Sequence, residues 1–168
     1  LQQAACGWAT QSNRDALMRI PNGHHWIIQN CLISDAKCTG ICTATRSTEE
    51  DIAVTGHHLV RNNTIERCGQ AGIAGQYGWS ASVIEGNLIQ NINHKKEFSG
   101  SARAGIKILV TADLLIKNNI IRYLYSDNFG GRRQDMPGIW VDWGNQGLRI
   151  SGNVIYGVVC AVFLEMNQ

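Results

Sequence analysis

The chain has 168 residues and a formal net charge of +2, from 15 Lys and Arg against 13 Asp and Glu. Hydrophobic residues make up 44% and charged residues 17%, a composition typical of a folded domain rather than a disordered segment. The basic residues are scattered and the longest apolar runs are too short to span a bilayer, so neither a nucleic acid nor a membrane is expected as a partner.

One short phrase recurs five times along the chain: an apolar residue, two further residues, an asparagine, one residue, and another apolar residue. Its asparagines, in chain order, are Asn30, Asn63, Asn87, Asn119 and Asn153. The intervals between them are 33, 24, 32 and 34 residues. A second phrase, Gly-Ile, lies between the copies, with its glycines at Gly40, Gly72, Gly105 and Gly138.

This period, with short β-rich segments and no long amphipathic helix, predicts an all-β fold: a right-handed parallel β-helix of about five coils. We expect two strands per coil, one around the asparagine and one after the glycine. The five asparagines should stack as an internal ladder at a coil corner, where Asn tolerates a left-handed turn. Range 1–168 is interpreted as one β-helix domain, incomplete at both ends. Leucine-rich repeats, the competing solenoid, require a denser and more uniform leucine pattern.

The cysteines and histidines do not form a metal-binding pattern. Cys38 and Cys42 are four residues apart, but no second ligand pair accompanies them. The neighbouring histidines at 24–25 and at 57–58 would point to opposite faces of a strand. We therefore expect no metal and no cofactor, and we interpret the six cysteines as packed thiols rather than as a disulfide framework.

Two carboxylates occupy equivalent positions on adjacent coils. After Gly138 the chain reads Ile-Trp-Val-Asp, in which the aliphatic side chains point inward, so Trp140 and Asp142 point outward. The next coil reads Val-Phe-Leu-Glu, and the same alternation points Phe163 and Glu165 outward. Because equivalent positions stack at the strand spacing, the two carboxyl groups are expected about 5 to 6 Å apart.

Carboxyl groups at this separation favour one class of chemistry. Retaining glycosidases hold theirs about 5 to 5.5 Å apart, whereas inverting ones leave about 6.5 to 9.5 Å for a water molecule. Two carboxyl groups this close do not easily ionise together, so one remains a proton donor and the other a nucleophile. The aromatic faces of Trp140, Trp143 and Phe163 could stack on a sugar ring, and Lys107 belongs to the same outward line. The alternative interpretation of each group, taken alone, is a solvated surface.

The segments 138–143 and 163–167 resemble glycoside hydrolase family 120, the β-helix β-xylosidases, and the segment 146–153 between them is also similar to that family. The resemblance covers most of the chain and is sharp from about Ala104 onward. It implies a retaining hydrolase of β-linked xylose or similar short oligosaccharides, with Asp142 as the nucleophile and Glu165 as the general acid/base. The substrate-binding residues then expected are Trp140, Trp143, Phe163, Lys107 and Asn167.

Two other function classes stay open. A polysaccharide lyase would also suit a β-helix, but it would require a Ca²⁺-binding carboxylate cluster or a basic residue that faces a uronate. A carbohydrate-binding or structural β-helix would not require an Asp and a Glu in register. The expected partner is in either case an oligosaccharide, and the sequence leaves the oligomeric state and the compartment open.

Overall fold

The structure is a computed structural model, and it describes residues 16–44, 55–97, 103–126 and 136–165. Every regular element within these ranges is a β-strand, which agrees with the all-β prediction. The strands are β1 (Ala16–Ile20), β2 (Ile27–Gln29), β3 (Leu32–Ser34), β4 (Thr39–Ala44), β5 (Leu59–Arg61), β6 (Thr64–Glu66), β7 (Ala71–Gln76), β8 (Val83–Glu85), β9 (Leu88–Ile92), β10 (Ala104–Leu109), β11 (Leu115–Lys117), β12 (Ile120–Leu124), β13 (Pro137–Asp142), β14 (Arg149–Ser151), β15 (Val154–Tyr156) and β16 (Cys160–Glu165).

The strands form three sheets in which each strand pairs in parallel with the strand three places further along the chain. The first sheet has the order β1-β4-β7-β10-β13-β16, the second β14-β11-β8-β5-β2, and the third β15-β12-β9-β6-β3. Each coil therefore contributes one strand to each sheet, and the predicted right-handed parallel β-helix is confirmed. The prediction of two strands per coil was wrong, because the segment around each asparagine bends at a corner and forms two short strands.

The core consists of aliphatic side chains stacked on identical or similar side chains of the neighbouring coils. In the first sheet Ile41, Ile73, Ile106 and Ile139 stack in this way, and all four are fully buried. The Gly-Ile phrase follows from this crowding. A Cβ atom at Gly72 would lie 2.6 Å from Cγ2 of Ile89, in the third sheet, and 2.8 Å from the carbonyl oxygen of Gly105. Only glycine fits at this position without moving the core.

The predicted asparagine ladder runs along one corner, between the second and third sheets. Asn87 shows the repeating unit: its Nδ2 donates to Oδ1 of Asn119 (3.0 Å) and to the carbonyl of Val60 (2.9 Å). Its backbone N–H donates to the same Oδ1 at 2.9 Å. Equivalent bonds join Asn63 to Asn87 and Asn119 to Asn153, so four of the five predicted rungs are confirmed.

Asn30 is not a rung of this ladder, and that prediction was wrong. The strand register pairs Ile28 with Val60, which aligns Cys31 rather than Asn30 with Asn63. The backbone N–H of Cys31 accordingly donates to Oδ1 of Asn63 at 3.0 Å. The left-handed turn also falls one residue earlier than predicted, on the residue before each rung. These residues are Asn30, Asn62, Gly86, Asn118 and Gly152, with φ between 53° and 63°.

The last described strand continues the stacking. In β16, Val162 pairs with Ile139 and Leu164 with Val141, so both follow the inward columns as predicted. They are nevertheless 38% and 64% exposed, because no described strand lies beyond β16. The described residues contain no helical segment with the length and hydropathy needed to cross a bilayer.

Candidate active site

The candidate site lies on the outer face of the first sheet, where β10, β13 and β16 are neighbours. The register pairs Asp142 with Glu165 and Trp140 with Phe163, as the alternation in the sequence predicts. It also pairs Lys107 with Trp140. The two carboxylates therefore project from adjacent strands, whose backbones lie about 4.8 Å apart in a sheet. We call Lys107, Trp140 and Phe163 the outer column.

Asp142 forms an ion pair with the lysine of the preceding coil. Nζ of Lys107 lies 3.0 Å from Oδ2 of Asp142, and the two side chains are only 4% and 16% exposed. The same Nζ lies 3.2 Å from the centroid of the Trp140 ring, within the range of a cation–π contact. Burial lowers the pKa of Lys107, while the hydrogen bond to Asp142 and the charges of Asp142 and Glu165 act in the opposite direction. The lysine thus contacts a carboxylate instead of extending into solvent.

Glu165 accepts a hydrogen bond from the indole of the neighbouring strand. Nε1 of Trp140 donates to Oε2 of Glu165 at 3.2 Å. The Trp140 ring also packs against Phe163, with centroids 5.4 Å apart and planes tilted by 49°. Asp142 therefore contacts an ammonium, and Glu165 accepts from an indole N–H.

The turn after β13 holds an aromatic side chain beside the carboxylates. Trp143 is 55% exposed, and its φ of 47° is uncommon for a bulky residue. Its backbone N–H donates to the Glu165 carbonyl, and its carbonyl accepts from the Val110 N–H, both at 2.9 Å. Backbone groups of both adjacent coils thus bond to this residue. The equivalent residues of the two preceding coils, Tyr77 and Val110, have φ of 65° and 46°, so this left-handed turn is a repeated feature of the coil.

The sequence analysis missed Asn145. This residue is buried, and its Nδ2 donates to the backbone carbonyl of Asp142 at 2.6 Å. The signal was an asparagine three residues after Asp142, directly after Gly144, a pair typical of a turn that bonds back to the chain. Asn167 lies outside the described residues. Leu109 precedes Asp142 in the same column, so the carboxylate pair does not continue onto β10.

The described ranges hold no group of three or more His, Cys, Asp or Glu side chains that could hold a metal ion. The cysteines within them are free thiols, and Cys38, Cys42 and Cys68 are buried. Burial raises the pKa of the Cys68 thiol to about 12, so this thiol stays protonated at neutral pH.

The comparisons with known proteins agree with the fold. The sequence model of the right-handed beta helix region family matches residues 15–168. The chain belongs to this family. A solved structure of XylC in complex with xylose is 30% identical, with a TM-score of 0.78 over 94% of this chain. The match covers 27% of the XylC chain, so the 168 residues span about a quarter of that protein's length. No curated protein matches the chain.

Proposed function

We propose that this chain carries the active site of a retaining glycoside hydrolase that acts on β-linked xylose or similar short oligosaccharides, as in glycoside hydrolase family 120. The observation that carries the proposal is the register of Asp142 with Glu165 on β13 and β16, on the outer face of the first sheet. The similarity to XylC, whose solved complex contains xylose, supports a sugar of this size and shape.

In the proposed mechanism Asp142 attacks the anomeric carbon while Glu165 protonates the leaving oxygen. The bond between that carbon and the leaving oxygen breaks, and a covalent glycosyl ester forms on Asp142. Glu165, now ionised, then takes a proton from water as the water oxygen attacks the same carbon and releases Asp142. Two displacements at one carbon retain its configuration. The short distance expected between neighbouring strands leaves little room for the intervening water of an inverting enzyme.

The aromatic residues supply the apolar surface that a sugar ring requires. Phe163 and Trp143 are 40% and 55% exposed; Trp143 directly follows Asp142, and Phe163 lies two residues before Glu165. Trp140 is half-buried, because its ring contacts both neighbours in the outer column. We assign Trp143 and Phe163 to stacking on the sugar and Trp140 to the floor of the site. Asn167 also belongs to the proposed set of substrate-binding residues. Lys107 was predicted to bind substrate as well, but it is only 4% exposed and contacts Asp142 and Trp140.

The decisive experiment is to trap the intermediate in the complete protein. A 2-deoxy-2-fluoro xyloside with an activated leaving group should label Asp142, and peptide mass spectrometry should locate the label. Proton NMR should show the β-anomer of xylose as the first product. Asp142→Ala should abolish turnover. Glu165→Ala should still be glycosylated by activated substrates, and added azide should accelerate its second step.

Glu85→Gln is the matched control, because Glu85 is a carboxylate of the second sheet that pairs with Lys117 at 3.0 Å. It should leave turnover unchanged. A label on a residue other than Asp142, or an α-anomer as the first product, would contradict the mechanism. An unsaturated uronate product would instead identify a lyase, and tight sugar binding without turnover would identify a binding protein.

A further inference from the structure

Lys107 is a buried ammonium group, and among the described residues its ion pair and its ring contact both lie within the candidate site. Its Nζ contacts Oδ2 of Asp142 at 3.0 Å and the face of Trp140 at 3.2 Å from the ring centroid. With 4% of its side chain exposed, water cannot replace a lost carboxylate partner. A buried charge whose partner is removed is strongly destabilised, so whatever neutralises Asp142 also acts on Lys107.

Resting on the proposed function, we propose that Lys107 is a positioning residue with two tasks. It holds Asp142 through Oδ2, so that Oδ1 is the oxygen that attacks the sugar. It also couples the two steps of the reaction, because formation of the ester on Asp142 removes the partner of a buried cation. That cation contacts the same Trp140 ring that donates to Glu165.

In the first step Asp142 neutralises the charge of Lys107, and the charge of Glu165 is not needed for this. The ammonium of Lys107 faces the carboxylate of Asp142, so Glu165 can keep the proton that it must donate to the leaving oxygen. The lysine also fixes the rotation of the Asp142 carboxylate, since one oxygen is held by Nζ. An attacking atom that is already oriented avoids a loss of rate that reaches about a hundredfold for a misplacement of 1 Å.

In the second step Asp142 no longer neutralises the charge of Lys107. Oδ1 of Asp142 is bonded to the anomeric carbon, and its carboxylate charge is gone. Glu165 is then the remaining carboxylate whose charge attracts Lys107. Its ionised form, produced when it gave up its proton, is the form that accepts a proton from water. Lys107 thus favours Glu165 as an acid before the ester forms and as a base afterwards.

Three variants of the complete protein separate these tasks. Lys107→Met removes both the hydrogen bond and the charge. Lys107→Gln keeps a donor for Oδ2 but removes the charge, and Lys107→Arg keeps the charge. The substrate is dinitrophenyl β-xyloside, whose leaving group needs little protonation. With it, kcat reports the second step and kcat/KM reports the first.

We expect Lys107→Met to lower kcat/KM by about tenfold to a hundredfold. The acidic limb of its kcat profile should move to higher pH by about one unit, because a cation no longer favours ionised Glu165. Lys107→Gln should recover most of kcat/KM but keep the displaced limb, and Lys107→Arg should restore the limb. The matched control is Lys117→Met, which breaks the ion pair with Glu85 outside the site and should change neither constant.

The outcomes distinguish this inference from the function on which it rests. Equal loss of kcat and kcat/KM in all three variants, with the wild-type pH limb, would overturn the inference and indicate a packing role. Wild-type constants in Lys107→Met would overturn it as well, while the glycosidase function would stand. A wild-type protein that is folded but inactive on every xyloside would overturn both. If Lys107→Met fails to fold, the acidic limb of the kcat profile is compared between Lys107→Gln and Lys107→Arg. The same limb in both variants would overturn the inference.

Discussion

Replacing Asn87 by alanine tests whether the asparagine ladder stabilises the solenoid. Oδ1 of Asn87 accepts from the backbone N–H and the Nδ2 of Asn63, each at 3.0 Å. Its Nδ2 donates to the Val60 carbonyl and to Asn119. Alanine removes all four bonds. The buried N–H of Asn63 loses its acceptor, whereas Oδ1 of Asn119 keeps the bond from the backbone N–H of residue 87.

The magnitude follows from these bonds. A buried donor without a partner costs about 1 to 3 kcal/mol, and each ordinary hydrogen bond contributes about 0.5 to 1.5 kcal/mol. Asn87→Ala should therefore lower the free energy of unfolding by about 3 to 6 kcal/mol. Denaturation by guanidinium chloride, followed by tryptophan fluorescence and by circular dichroism, measures this change.

Asn153→Ala is the matched control, because Asn153 is the last described rung and is partly exposed, so water can bond to the groups that it leaves. Its cost should be about 1 to 2 kcal/mol. A loss below about 1 kcal/mol in Asn87→Ala, or equal losses in the two variants, would refute the reasoning that the buried ladder stabilises the fold.

Three further predictions concern other parts of the chain. His58 is buried, and burial together with the charges of the histidines at 25, 24 and 57 lowers its pKa from 6.5 to about 4. As the pH falls, the unfolded chain binds a proton at this histidine before the folded chain does. The free energy of unfolding is therefore at its full value above pH 6.5 and falls by about 3 kcal/mol as the pH approaches 4. His58→Gln should lose less of this free energy, which thermal melts at acidic pH would measure. Cys31→Asn should extend the ladder by a second bond to Oδ1 of Asn63 and raise the free energy of unfolding by about 1 kcal/mol, and an unchanged denaturation midpoint would count against it. Lys107→Met and Asp142→Asn should each cost about 3 kcal/mol but together less than the sum, because the double variant leaves no buried charge without a partner; additive losses would show that the pair is uncoupled.

The repeats predicted the fold and the register because the core imposes both. Stacked isoleucines leave few alternatives for the inward positions, and a shift by one residue would turn every side chain to the other face. The inward positions of Ile139 and Val141 therefore predict the outward direction of Trp140 and Asp142 from the sequence alone. The register of Asp142 with Glu165 followed from the same count on the next coil.

The error at Asn30 shows where this reasoning ends. The first copy of the phrase starts at Ile27, which is 62% exposed, whereas the buried Ile28 is the residue that aligns with the core of the next coil. Two adjacent isoleucines offered two registers, and the asparagine in the sequence favoured the wrong one. Cys31 occupies the rung position, and only its backbone contributes a bond there. Neighbouring coils, not the local sequence, decide which residue faces the ladder.

Side-chain contacts within the site could not be read from the pattern either. The sequence placed Lys107 in the outer column, but a long side chain reaches diagonally as well as along its column. Whether it extends toward solvent or toward Asp142 depends on the neighbouring ring of Trp140, which covers one side of Nζ. The left-handed φ of Trp143 could not be predicted from the sequence either, because bulky residues rarely adopt such a φ. Backbone hydrogen bonds to the two adjacent coils hold it.

The two faces of the first sheet carry different kinds of information. The inward column reads Ile, Ile, Ile, Ile, Val from β4 to β16, because each side chain must fill the same space between its neighbours. On the opposite face, Cys42 and Ala74 precede the three residues of the outer column, so this face reads Cys, Ala, Lys, Trp, Phe over the same strands, and no packing rule requires this succession. Unlike neighbours with a specific bond also occur outside the candidate site, as in the partly exposed pair of Lys117 and Glu85. What distinguishes this column is that its ion pair, Lys107 with Asp142, is buried beside the Trp140 ring. In a solenoid, function is therefore best sought where the outward residues stop repeating while the inward residues continue to do so.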